Sequence, residues 1–315
     1  MRPLASLALV AVSATTSALL VVLSQRSSHP PSPPLVGLYE YQTSSAQGGR
    51  FALEATFLDW NDPQLLPRLH QFLSQAESRG RLPLLTLEPF PDRRAGRSNQ
   101  DLLADVLAGR HDSSLAGIAR SLASHPGPVL LRFAHEMDKT GQYPWAYRDP
   151  ARYIRLYHYA FGKIAAQGAN NVRWVWSPAG NSRADRYWPG DAYVDLIGLS
   201  IYASRAWQLT RKLETFGQQF DQKRWIAQRY GRPLLVAEVG VSGSASDQQL
   251  WLEQALQSLH RYPEVCGLVY FQAPQPSWMP LPTGHENWSL KPSVLQWLRQ
   301  QLPLSPRYGR SCLEA

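Results

Sequence analysis

Two glutamates stand at the ends of apolar runs that read as buried strands: Leu131-Arg132-Phe133-Ala134-His135-Glu136-Met137-Asp138 and Leu234-Leu235-Val236-Ala237-Glu238-Val239-Gly240. A pair of carboxyl groups can split a glycosidic bond, one protonating the leaving oxygen while the other attacks or assists at the opposite face of the sugar. That chemistry needs both carboxyls at one end of a rigid scaffold. Each glutamate alone would be read as a structural ion-pair partner. No two-His or His/Cys spacing of a metal site occurs, and no cofactor is implied.

The elements that must position this pair are legible as strand-like runs alternating with helical patterns, the order of βαβ units and a parallel sheet. The runs cover 35–40, 51–60, 82–88, 129–136, 172–177, 194–202, 234–238 and 267–272. Helix-length apolar spacing covers 63–79, 114–124, 150–167, 213–230, 247–261 and 291–302, with Gly80, Gly168 and Gly231 just past three of these segments as C-terminal caps. The connection between the fifth and sixth strands is too short for a full helix and is expected to be irregular. Eight units predict a (β/α)8 TIM barrel over 35–303, whose active site lies at the C-terminal ends of its strands. Glu136 is then expected to end the fourth strand and Glu238 the seventh, facing each other across the mouth.

With 44% hydrophobic residues, 315 positions suffice for one large core and not for several ordinary domains. The formal charge of +8 is spread along the chain without a basic stripe, which argues against nucleic acid as a partner. Leu4 to Leu23 is apolar or small throughout and uncharged, long enough to cross a bilayer. It lacks a well-placed cleavage site, so residues 1–25 are expected to be an uncleaved signal-anchor rather than a signal peptide. The Pro/Ser-rich stretch 26–34 then serves as a stiff spacer. Either way the domain is expected outside the cytoplasm, membrane-anchored or secreted. Cys266 opens the eighth strand, at the face where strands begin, and Cys312 lies in the tail, 304–315, after a last helix that returns the chain toward that face, so the two could come near each other. The pair can be a disulfide of the exported domain, or a buried residue and a frayed end.

The motifs together resemble glycoside hydrolase family 26, the β-mannanase family of the retaining clan A, from Leu35 to Leu302. The resemblance rests on Leu87-Glu88-Pro89, Leu107-Ala108-Gly109-Arg110-His111-Asp112, Arg132-Phe133-Ala134-His135-Glu136-Met137 with Gly141, Tyr143, Pro144 and Trp145, Trp174-Val175-Trp176-Ser177-Pro178, Trp188-Pro189-Gly190-Asp191, Gly198 with Tyr202, and Ala237-Glu238-Val239-Gly240. It implies a retaining double displacement on a β-linked polysaccharide, β-1,4-mannan first, with Glu136 as acid/base and Glu238 as nucleophile. A catalytically weak polysaccharide-binding barrel is the alternative. Glu136 is expected to have a raised pKa and start protonated. Tyr202 and Arg132 are expected to donate to Glu238, and His135 to orient the sugar or the acid. Glu88 is a third catalytic carboxylate or, more in keeping with its place, a conformational residue bonded to loop backbone. Tyr143, Trp145, Trp176, Trp188 and Trp207 are the aromatic candidates for sugar binding, with one of Trp174 and Trp176 expected in the core. The chain departs from the family pattern at Asp138, where Asn is usual, and at strand eight, which lacks a Trp.

Overall fold

The computed structural model describes residues 34–40, 50–204, 214–276, 286–303 and 312–313. Eight strands, β1 (Leu35–Glu40), β2 (Leu53–Asp59), β3 (Leu82–Glu88), β4 (Val129–Phe133), β5 (Val172–Trp176), β6 (Leu196–Ala203), β7 (Leu234–Val241) and β8 (Val265–Gln272), form a closed barrel in sequence order. Every neighbouring pair is parallel, and β1 closes on β8 with Leu35 opposite Gly267.

Alternation along each strand divides the core in two. Leu85, Leu87, Leu131, Phe133, Trp174, Trp176, Leu199 and Ile201 point outward and pack under the helices. Leu35, Leu53, Leu84, Leu130, Val175 and Leu235 fill the interior at the end where the strands begin. Further along the same inward faces the residues turn polar, and this is where the chemistry sits. Both catalytic candidates lie at the C-terminal end of the barrel.

The helices are α1 (Leu65–Ser78), α2 (Leu102–Leu107), α3 (Asp112–Ala123), α4 (Pro150–Ala165), α5 (Phe216–Lys223), α6 (Trp225–Tyr230), α7 (Ala245–Ser258) and α8 (Pro292–Gln301). Their starts follow local rules. Asp149 caps α4 ahead of Pro150, and capping boxes at Thr215 and Ser244 open α5 and α7. The expected single helix over 213–230 is two, because α5 stops at Lys223, whose ammonium reaches the Ser200 carbonyl at 2.6 Å. Helix α2 escapes a periodicity reading because six residues span fewer than two turns. The β5–β6 connection is irregular, with short 3₁₀ turns at Ala184–Tyr187 and Asp191–Tyr193.

Cys266 is disulfide-bonded to Cys312, with Cα atoms 5.0 Å apart across 46 residues, and both are buried in the interior cluster with Leu35 and Leu53. The apolar segment 4–23, the spacer that follows it and Trp207 lie outside the described residues. Among the described residues no helix is long and apolar enough to cross a membrane.

Candidate active site

Glu238 is aimed into the barrel by an irregularity in β7. Val236 and Val239 both pack outward although they are three residues apart, and the pairing shifts there: Leu199 faces Val236, while the next residue, Ser200, faces Glu238. The extra residue is a bulge, a device that re-aims side chains beside active sites. It brings the Glu238 carboxylate to Arg132, which projects inward from β4 and is fully buried. Arg132 Nη1 donates to Glu238 Oε1, Nε donates to Ser177 Oγ at 2.8 Å and Nη2 to Ser200 Oγ at 3.3 Å. The Tyr202 hydroxyl donates to Glu238 Oε2 at 2.5 Å, and burial holds that phenol well above its usual pKa, so it stays a donor. Both oxygens of Glu238 are therefore oriented. Gly198 is required for this packing, since a Cβ there would stand 2.5 Å from Ser177 Oγ.

Glu136 is held differently from the expectation. Strand β4 ends at Phe133, three residues early, because Ala134 and Glu136 take left-handed backbone angles, φ 49° and 53°. A strand cannot continue through such residues. The Glu136 N–H turns to the Ser177 carbonyl at 2.7 Å, which pins the turn to the end of β5. Its Oε2 accepts from Lys139 Nζ at 2.7 Å and from the Tyr143 hydroxyl at 3.3 Å. Burial opposes charge on Glu136, but the Lys139 ammonium, first among the neighbouring groups both by charge and by hydrogen bond, outweighs burial and holds the carboxyl well below the usual range. The expectation of a raised pKa is thus reversed: in the free protein Glu136 is ionised.

Asp138 does not act on Glu136 as a loose neighbouring charge. Its carboxylate accepts the backbone N–H groups of Ala179, Gly180 and Asn181 at 2.6, 3.1 and 3.1 Å, clamping the loop after β5. His135 is buried, and burial, then Arg132, keeps its pKa well below normal, so its ring is neutral. Its Nδ1 has no hydrogen-bond partner among the described residues.

The aromatic assignments change most. Trp145 is fully buried, donates to the His135 carbonyl at 2.7 Å and stacks behind Tyr143, with centroids 4.8 Å apart. It supports the Glu136 turn and is closed to a ligand. Trp174 and Trp176 are both core, because residues two apart in a strand share a face, here the one under the helices. Trp188 stacks on Tyr230 of α6 at 3.8 Å and edges against Trp176, also away from the barrel interior. The aromatic surface at the mouth comes instead from Tyr39, Phe57, Tyr202 and Phe271, with Trp288 packed behind Tyr202. Of these only Tyr202 stood out in the sequence. The period-2 pattern of β1 and β2 was the signal for Tyr39 and Phe57.

Glu88, at the end of β3, makes no side-chain hydrogen bond among the described residues; its backbone carbonyl accepts the N–H groups of Trp60 and Phe90 at 3.2 and 3.0 Å. Burial, then repulsion from Glu238 and Asp59, pushes its carboxyl from 4.5 to about 8, against the pull of Arg132. It is a neutral acid able to donate near pH 7. Between 4.5 and about 8 the folded state holds a proton that the unfolded chain has lost, so Glu88 makes stability fall as pH rises. Glu88→Gln should remove this contribution, on the order of a few kcal/mol. Urea unfolding of both proteins at pH 5 and pH 8 measures it, and equal losses in the two would show that Glu88 is not the group involved. Among the described residues no three His, Cys, Asp or Glu side chains are grouped to hold a metal ion.

Residues 103–226 match the family model described as Glycosyl hydrolase family 26. Endoglucanase H of Acetivibrio thermocellus is 22% identical over 240 residues, 71% of this chain and 25% of that protein. Beta-1,3-xylanase TXYA of Vibrio sp. is 23% identical over 175 residues, 50% of this chain and 37% of its own length. The chain thus spans well under half of these curated relatives. Among solved structures, a GH26 beta-mannanase from Bacteroides ovatus superposes with a TM-score of 0.62 over 89% of both chains at 17% identity, a likeness of fold. The family match thus runs from α2 through the Glu136 turn to the start of α6, on a barrel of the same fold as that mannanase.

Proposed function

We propose that the protein is a retaining endo-β-glycoside hydrolase in which Glu238 is the nucleophile and Glu136 the acid/base. The observation that carries this reading is the double hold on Glu238, with Arg132 on one oxygen and Tyr202 on the other, at the barrel end where Glu136 stands. A carboxylate so fixed can attack the anomeric carbon as Glu136 gives a proton to the leaving oxygen. Glu136, then a base, takes a proton from water, which attacks the same carbon and releases Glu238. The neutral His135, with its unpartnered Nδ1, and the neutral Glu88 are suited to hydrogen-bond sugar hydroxyls beside this centre.

A β-1,4-mannan backbone is the first choice, supported by the likeness to the Bacteroides ovatus beta-mannanase. The relatives that act as endoglucanase and beta-1,3-xylanase make β-glucan and β-xylan the next. Action outside the cytoplasm, with the segment 4–23 as anchor or signal, is supported by the Cys266–Cys312 bridge, which persists in oxidising compartments. The second reading, a weakly catalytic glycan-binding barrel, is favoured by the ammonium on Glu136. Incubation with end-labelled mannan, glucan and xylan oligosaccharides, with NMR of the first-formed anomer, separates the two. The expected product is internal cleavage with the β-anomer first. An initial α-anomer would sink the double displacement, and binding without cleavage would favour the second reading.

A further inference from the structure

The catalytic end of the barrel carries more positive charge than its two glutamates need. Arg132 is committed to Glu238. Lys139 is committed to Glu136, in an ion pair whose carboxylate is almost fully buried while the lysine side chain is 37% exposed. A third cation, Lys223, extends from the end of α5 across Gly180, where a Cβ would stand 3.0 Å from its side chain, and donates to the Ser200 carbonyl at 2.6 Å. It has no carboxylate partner among the described residues. Asp138, the acid that lies nearest both in sequence to Lys139 and in space to the Gly180 loop, is occupied by three backbone N–H groups. Burial lowers the pKa of Lys223, while Glu136, the largest of its charged influences, favours the ammonium, Lys139 opposes it and Asp138 favours it.

This arrangement poses a chemical problem. A general acid must be protonated, and an ammonium on its oxygen opposes that. A neutral sugar offers only hydroxyls, which compete poorly with a carboxylate for an ammonium, whereas an acidic sugar offers an equivalent anion. We propose that Lys139 and Lys223 form a binding site for a carboxylate on the sugar at the leaving-group side, so that the substrate is an acidic β-glycan. The bound carboxylate draws Lys139 away from Glu136. Glu136 then takes a proton from solvent and passes it to the glycosidic oxygen as the bond to the anomeric carbon breaks and Glu238 bonds to that carbon. The acid is thereby armed by the correct substrate, and neutral glycans leave it ionised. This inference rests on the hydrolase reading for its catalytic half, while the recognition half stands on the two lysines alone.

The test uses matched β-1,4-mannan, β-glucan and β-xylan oligosaccharides. For mannan and glucan the acidic partner is the same chain oxidised to uronate at C6, and for xylan it is the chain bearing a glucuronate branch. Rates are measured on the wild-type protein and affinities by calorimetry on Glu238→Gln. On at least one backbone the acidic form should bind and be cleaved about tenfold better or more, as expected for a charge-assisted contact at a part-buried site. Lys139→Gln should erase that preference and raise kcat on the neutral form, and Lys139→Arg should restore the preference, showing that charge and not folding is at issue. Selective binding of the acidic form without cleavage would uphold the site and reject the hydrolase reading. Equal or better binding of the neutral form, no binding of either form on all three backbones, or a preference that survives Lys139→Gln with Lys223→Gln would overturn the inference.

Discussion

Glu238→Ala is expected to lower turnover by a factor on the order of 10⁴ to 10⁶, the range seen when a covalent nucleophile is deleted. Azide should then restore part of the rate. The truncation opens a space facing the Arg132 guanidinium, which has lost its carboxylate and remains buried, so a small anion is drawn to the place the nucleophile held. Azide attacking from there in a single displacement gives a glycosyl azide of inverted configuration, because the second displacement never occurs. Rescue with retained configuration would remove Glu238 from the nucleophile role. A buried cation without its partner also destabilises the fold, by about 3–5 kcal/mol. Glu238→Gln, which keeps the size and one acceptor oxygen, should be equally inactive and much closer to the wild type in stability, and the comparison separates lost chemistry from lost folding.

The second large effect is on stability. Reducing the Cys266–Cys312 bridge, or replacing both residues with Ala, frees a loop of 46 residues in the unfolded chain and is expected to cost about 4 kcal/mol by chain entropy. For a domain of this size that lowers Tm by roughly 7 °C. The bridge fastens the last described residues of the chain to the start of β8, beside the seam where β8 meets β1. Thermal unfolding with and without a phosphine reductant measures it directly, and a shift below about 2 °C would mean that the loop is restrained in the unfolded state by something other than the bridge.

Much of the barrel was readable because its strands are apolar on both faces and so stand out as short continuous runs between helical patterns. The same property hid the decisive detail in β7. In Leu-Leu-Val-Ala-Glu-Val-Gly-Val no polar alternation marks which residues face inward, so the bulge that turns Glu238 toward Arg132 leaves no trace in the pattern. Glu136 was recognisable by type and company, but its state of charge was not, since that depends on a turn that folds Lys139 back onto it. Trp145, Trp176 and Trp188 were read as sugar-facing from their nearness to strand ends. Their burial follows from face and packing, which spacing alone does not supply past the last strand residue. Tyr39 and Phe57 were overlooked for the opposite reason, as ordinary strand aromatics.

The left-handed turn at Glu136 bears on what kind of selection this chain has been under. At φ 53° folding alone favours Gly, or failing that Asn, and a side chain branching into a glutamate costs about 1 kcal/mol there. The position is also buried, where an ionised carboxyl is a further burden on the fold. A barrel retained only to hold a glycan would be free to drift toward the relaxed residue, giving up the contacts of the carboxylate to Lys139 and Tyr143. Ala134, at φ 49° in the same turn, carries the backbone cost without any chemistry, but a buried glutamate at such an angle adds a cost that chemistry at its carboxyl would repay.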